Sequence, residues 1–78
     1  MLAYMRRHSN ITLQEHYDPI AGDSYALISN NEYEWLALDD FYEIKALERS
    51  GVISITETSS DMFVTNSVIT LRKKIADG

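Results

Sequence analysis

The sequence predicts one small α+β domain over residues 1–78, in which two antiparallel hairpins are arranged around a central helix and a second helix ends the chain (β-β-α-β-β-α). Two observations favour this class. The chain has 78 residues, enough for one domain, and 45% of them are apolar, as in ordinary globular proteins. In addition, four short alternating or β-branched stretches flank a longer segment of helical periodicity.

The first hairpin is predicted from an alternating stretch followed by turn residues. Residues 10–17 place Ile11 and Leu13 on one face and polar side chains on the other, which indicates a half-buried strand. Residues 18–23 contain Pro, Gly and two Asp, which favour a turn. Residues 25–28 then form the returning strand. Residues 1–5 alternate weakly and are interpreted as a further strand.

The central helix has two competing start signals. Ser29 and Glu32 form a capping-box pattern, and residues 40–43 begin with an Asp that could start a helix in the same way. The segment is therefore either one helix as far as Ser50 or two pieces bent near residues 39–40. Gly51 ends the helix in both cases, because glycine readily adopts the left-handed conformation.

The second hairpin and the tail follow Gly51. Residues 52–57 are β-branched and alternating, residues 59–61 form a turn, and residues 62–64 return. In the tail, Val68, Leu71 and Ile75 have helical spacing, although residues 68–70 are locally strand-like. The sequence favours a helix over residues 66–76, with a strand as the alternative.

The central helix, if continuous, has two apolar sides. At about 100° per residue, a broad core-facing stripe contains Tyr33, Leu36, Ala37, Phe41, Ile44 and Leu47. The opposite side carries Trp35, Leu38, Tyr42 and Ala46, and the carboxylates of Asp39 and Glu43 lie on one flank between the two sides. We predict that Trp35, Leu38, Tyr42, Asp39 and Glu43 bind a partner. Trp and Tyr are enriched among interface hot spots, and carboxylates would supply a polar rim. The alternative is that the tail, the N-terminal segment or a second copy of the chain packs against this second apolar side.

The charge is negative and uneven. The net charge is −5, and residues 31–50 carry −4 of it, with two Lys or Arg against six Asp or Glu. Phosphate backbones require positive protein surface, so nucleic acid is disfavoured as a partner. A protein with a basic surface is favoured, because opposite charges steer association.

Residues with catalytic or metal-binding chemistry are sparse. The chain has no cysteine and only two histidines, His8 and His16, whereas a metal site needs three or four ligands. No arrangement of nucleophile and base is visible, so we predict neither an enzyme nor a cofactor. No apolar run reaches the about 18 residues that span a membrane, and residues 1–7 lack the charge order of a secretory signal. The sequence therefore predicts a soluble cytoplasmic protein.

Two stretches resemble known families. Residues 41–55, with the hairpin through residues 62–65, resemble the second half of a winged-helix domain, where a helix ending in a Leu-Glu-x-x-Gly motif enters a β-wing. This resemblance implies a transcription regulator. Residues 25–36 resemble the strand-to-helix junction of Phd/YefM-type antitoxins, which read as an apolar strand, a Ser, then Glu-Tyr-Glu and Leu.

The functional hypothesis is a small acidic protein-binding module. It would act stoichiometrically as an inhibitor or adaptor, of the kind encoded by phages or as accessory regulators, and would dock the acidic, aromatic helix side onto a basic partner. The alternative hypothesis is the winged-helix-like transcription regulator.

Overall fold

A computed structural model describes residues 1–72 and has an α+β fold with two helices and five strands. In chain order the elements are α1 (Leu2–Arg7), β1 (Ile11–His16), β2 (Ser24–Ser29), β3 (Glu32–Trp35), α2 (Leu38–Arg49), β4 (Ile53–Ser60) and β5 (Val64–Leu71). The α+β class is confirmed. The predicted β-β-α-β-β-α order is not, because a third strand precedes the central helix.

The strands form one antiparallel sheet in the order β3-β2-β1-β5-β4. β1 lies at its centre, with Leu13 opposite Leu27 of β2 on one side and opposite Ser67 of β5 on the other. The two hairpins predicted from the sequence therefore become one sheet, because β1 and β5 pair across a long separation in the chain.

Residues 29–32 form a tight turn between strands, so the capping-box interpretation is wrong. Asn30 and Asn31 have φ angles of 52° and 65°. Two successive residues with positive φ are typical of a type I′ hairpin turn, and Asn tolerates this conformation better than most residues. The Ser29 hydroxyl donates a hydrogen bond to the carbonyl of Ser9 at 2.8 Å instead of capping a helix. The helical junction implied by the antitoxin resemblance is absent here.

The central helix begins close to the second start signal. α2 starts at Leu38, with Asp39 and Asp40 in its first turn, where the helix dipole favours negative charge. It ends as predicted, with Gly51 at a φ of 83°. The helix, Gly51 and the β4–β5 hairpin keep the local order of the winged-helix resemblance, but that hairpin belongs to a five-stranded sheet.

Both chain ends differ from the expectation. Residues 1–5 were predicted as a strand, yet α1 is a helix whose Met5 lies in the core. The helix predicted over residues 66–76 is wrong as far as Leu71, because β5 is a strand paired with both β1 and β4. Two neighbours satisfy its backbone groups, which outweighs the helical spacing of its apolar residues. Residues 73–76 lie outside the described part.

The core lies between the helices and one face of the sheet. Its buried members are Met5, Ile11, Leu13, Leu27, Phe41, Ile44, Ile53 and Ile69. The rings of Phe41 and Tyr25 stack with centroids 3.8 Å apart, which joins α2 to β2. Of the predicted core stripe, Ile44 is fully buried and Leu36 and Leu47 pack against the core. Tyr33 is exposed, because it lies on a strand rather than on the helix.

Candidate functional site

The predicted partner-binding residues fall on two different elements. Trp35 lies on β3 and pairs with Ala26. The adjacent pair is Glu34 with Leu27, and the Leu27 side chain is buried in the core. Because side chains alternate along a strand, Trp35 points away from the core. Leu38 and Tyr42 lie on α2, which packs its Phe41 and Ile44 into the core. The single helix surface predicted from the sequence is thus divided.

The three large side chains are exposed, although they do not share one element. The exposed fractions are 59% for Trp35, 53% for Leu38 and 59% for Tyr42. The Trp35 ring lies 5.5 Å from that of His16, between centroids, on the face of the sheet opposite the core. Ala26, which pairs with Trp35 and shares this face, is fully buried.

The two carboxylates predicted to steer a partner have local roles. Asp39 lies in the first turn of α2, and both it and Glu43 are exposed. The N-terminal ammonium group of Met1 donates a hydrogen bond to the Glu43 Oε2 atom at 3.4 Å.

A second exposed apolar surface lies at the opposite end of the sheet from the 30–31 turn. There the loop over residues 17–23 meets the turn over residues 61–63. We call this the distal surface and define its apolar part as Tyr17, Ile20, Met62 and Phe63. Ile20 is 96% exposed and Met62 is 80% exposed. Neither side chain contributes to the core.

Backbone hydrogen bonds fix the two loops of the distal surface. The Tyr17 N–H donates to the carbonyl of Phe63 at 2.8 Å, which ties the loops together. Within the first loop, the N–H of Gly22 donates to the carbonyl of Asp18 at 2.9 Å, with Gly22 at a φ of 94° that favours glycine. The exposed apolar side chains are therefore presented by ordered backbone.

Two aspartates hold these turns through their side chains. The Asp18 Oδ1 atom accepts the N–H groups of Ile20 and Ala21 at 2.8 and 3.0 Å. The Asp61 Oδ1 atom accepts those of Phe63 and Val64 at 2.8 and 2.9 Å. These bonds favour the ionised carboxylates and lower the pKa of both Asp18 and Asp61 below the usual value.

The electrostatic environment of the distal surface is negative. Its carboxylates are Glu15, Asp18, Asp23 and Asp61, and the sequence has no Lys or Arg in residues 8–44 or 50–71. A hydrogen bond from Thr65 lowers the pKa of Tyr17, but partial burial and the charges of Glu15 and Asp23 outweigh it and raise that pKa. Within residues 1–72 the single ion pair is that of Met1 with Glu43, so these carboxylates have no cationic partner there.

A cleft opens between the two loops. Its volume is about 640 Å³. The residues that line it include the aromatic Tyr17 and Phe63, the acidic Asp18 and Asp23, and Ile20. A neighbouring depression extends the same surface to Met62. This arrangement can bind a side chain that is both apolar along its length and positively charged at its tip.

Sequence reasoning treated both loops of the distal surface only as turns. The available signal was the placement of large apolar residues, Ile20 and the pair Met62–Phe63, inside segments rich in Pro, Gly, Ser and Asp. Turns are ordinarily polar, so exposed apolar residues there indicate a role other than folding. Their proximity could not be predicted, since it depends on the pairing of β1 with β5.

Comparison with known proteins does not place the chain in a family. No protein-family model, no curated protein and no solved structure matches it. Within residues 1–72, no group of three or more His, Asp or Glu side chains could hold a metal ion. Over the same residues, neither helix is long and apolar enough to span a membrane.

Proposed function

We propose that this protein is a small acidic protein-binding module that acts stoichiometrically, as an inhibitor or adaptor, in the cytoplasm. The distal surface is its principal docking site, and the partner is a protein with a basic surface. The observation that carries this proposal is a cluster of four exposed apolar side chains, set on hydrogen-bonded loops and accompanied by carboxylates, with no Lys or Arg among the lining residues within residues 1–72.

Exposed apolar clusters support protein binding for a physical reason. Isolated exposed apolar residues are normal, but contiguous patches rimmed by polar groups are typical of interaction sites. Ile20 and Met62 gain little from folding, since most of their surface remains in water. Covering them with a partner would contribute roughly 1.5–3 kcal/mol for each fully buried side chain.

The order of the loops supports the same proposal. Binding costs conformational entropy for each loop that must become ordered, and pre-organised loops avoid part of this cost. The aspartate-held turns at Asp18 and Asp61 already set the backbone of both loops. The nearby carboxylates, which have no cationic partner within residues 1–72, would accelerate association with a basic partner, and this effect weakens as salt is added.

The residues predicted from the sequence provide a competing surface. Leu38, Asp39, Tyr42 and Glu43 on α2 remain a proposed docking site, with Trp35 as a separate contact on β3. They are less favoured because they are divided between two elements, with Trp35 on β3 and the other four residues on α2. A second copy of the chain is the alternative occupant for Trp35.

The experiment compares variants of the two surfaces in the same binding assay. The protein is immobilised, partners are captured from the native host, and the main captured protein is purified for titration calorimetry and light scattering. Ile20→Asp combined with Met62→Asp should weaken binding by about 2 kcal/mol or more. Light scattering should give one chain per partner.

The control is Leu38→Asp combined with Tyr42→Asp, which makes the same change of charge at two residues of α2 that are 53% and 59% exposed. It should bind like the unmodified protein. Circular dichroism of both double variants checks that the fold is intact. Unchanged binding by the distal variant would reject the distal surface as the docking site. Loss of binding by the α2 variant alone would assign docking to the helix.

A further inference from the structure

We propose that the cleft of the distal surface receives an arginine side chain of the partner protein. This inference rests on the proposed function and names the chemistry of its central contact. It depends on three properties of the cleft: the aromatic lining residues, the carboxylates that have no cationic partner within residues 1–72, and the hydrogen-bonded backbone.

The walls of the cleft suit a flat, weakly hydrated cation. The rings of Tyr17 and Phe63 both line it, and Phe63 is 56% exposed. A guanidinium group stacks on an aromatic face through its own plane, whereas an ammonium group is compact and strongly hydrated. The methylene groups of arginine would contact the apolar border at Ile20 and Pro19.

The carboxylates supply acceptors at the same place. Asp23 lines the cleft together with Asp18, whose Oδ1 atom is already engaged by two backbone N–H groups. The Asp18 Oδ2 atom is not part of those bonds. A guanidinium group carries five N–H donors in a planar fork and can reach two acceptors at once.

The negative charge of the cleft favours arginine over a neutral side chain. Within residues 1–72, the residues that line the cleft are apolar, polar or acidic apart from His16, and none is Lys or Arg. An apolar side chain would leave Asp18 and Asp23 partly desolvated without a partner, which costs free energy. An acidic side chain would be repelled.

The test is an NMR titration of the full chain with three small probes: Nα-acetyl-arginine amide, Nα-acetyl-lysine amide and Nα-acetyl-norleucine amide. The arginine probe should shift the amide signals of Ile20, Gly22 and Phe63 in a saturable manner. The lysine probe should bind more weakly, and the norleucine probe should produce no saturable shift.

Two variants check the origin of the binding. Phe63→Leu keeps an apolar wall but removes the ring, and should weaken the arginine probe about two- to fivefold, the range expected for an exposed cation–π contact. Asp23→Asn keeps the shape of the side chain but removes its charge. It should also weaken binding of the arginine probe, and the remaining affinity should depend less on salt. Equal binding of the arginine and norleucine probes, or no saturable shift with any of them, would overturn the arginine assignment. The proposed function is judged separately, by the partner affinity of the Ile20→Asp and Met62→Asp double variant.

Discussion

At the scale of single residues, two aspartates do more than lower the net charge. Asp18 and Asp61 each accept two backbone N–H groups and so hold a turn from which apolar side chains project. The same carboxylates border the cleft or lie next to it in the chain. Order in the loops and negative charge therefore come from the same side chains.

The pH dependence of these turns follows from the lowered pKa values. A carboxylate with a depressed pKa stabilises the turn above its ordinary pKa, and this contribution is lost as pH falls through the lower value in the folded protein. We expect the amide signals of Ile20 and Phe63 to titrate with midpoints below the ordinary value of 3.8. NMR spectra recorded between neutral and acidic pH measure these midpoints.

Asp61→Asn provides the control for that titration. The variant should lose the transition at Phe63 and Val64, which Asp61 holds, and keep the one at Ile20, which Asp18 holds. Midpoints at or above 3.8 would show that the two aspartates do not hold the turns as ionised groups.

At the scale of elements, the turn at Asn30–Asn31 decides how the middle of the chain folds. A Ser-x-x-Glu pattern before an apolar run favours a helix start. Two adjacent asparagines also favour a type I′ turn, and the apolar residues on both sides alternate in a way that suits paired strands. Ile28 then pairs with Tyr33 and Ala26 with Trp35, which places Trp35 on the sheet.

Substitution of Asn31 distinguishes the hairpin from a helix. In the turn, with its positive φ, Asn31→Ala should lower the free energy of unfolding by about 1 kcal/mol, and Asn31→Gly should leave it unchanged or raise it. Urea denaturation of the two variants measures the difference. Alanine is the better residue in a helix by about 1 kcal/mol, so an alanine variant more stable than the glycine variant would contradict the hairpin.

At the scale of the whole molecule, the basic residues within residues 1–72 are concentrated away from the distal surface. Arg6 and Arg7 end α1, Lys45 and Arg49 lie in the second half of α2, and Arg72 follows β5. These segments precede β1 and β4 or follow β5, and therefore lie at the end of the sheet opposite the distal surface. Of the Lys, Arg, Asp and Glu residues that the structure describes, those at the distal end are all carboxylates, so the charge of this part of the molecule favours one orientation toward a basic partner.

The charge also predicts the response to nucleic acid. Duplex DNA should bind with a dissociation constant above about 10 μM at ~150 mM salt, because the net charge is −5 and α2 begins with two aspartates. Fluorescence anisotropy with a labelled duplex measures this. Asp39→Lys combined with Asp40→Lys should increase the affinity and serves as the matched control. Sequence-specific binding by the unmodified protein below 1 μM would support the winged-helix-like transcription regulator instead.

The sequence predicted the elements whose local signals agree with one another. β1, β2 and β4 were identified from alternation and β-branched residues, and the end of α2 from Gly51. Errors arose where two local signals competed, as at residues 29–35 and 64–71. In both segments, pairing with another strand favoured the strand conformation. That pairing depends on residues outside the segment, so the periodicity of the segment alone does not predict it.

By itself, the sequence determined the α+β class, the acidic charge, the burial of Ile44 and the position of the helix end at Gly51. Only the tertiary structure decided where the exposed apolar residues meet. Trp35 and Tyr42 were predicted to share a helix side and lie on different elements, whereas Ile20 and Met62 are 42 positions apart in the chain and border one surface. The physical reason is that β1 and β5 pair in register, which brings the loop after β1 against the turn before β5.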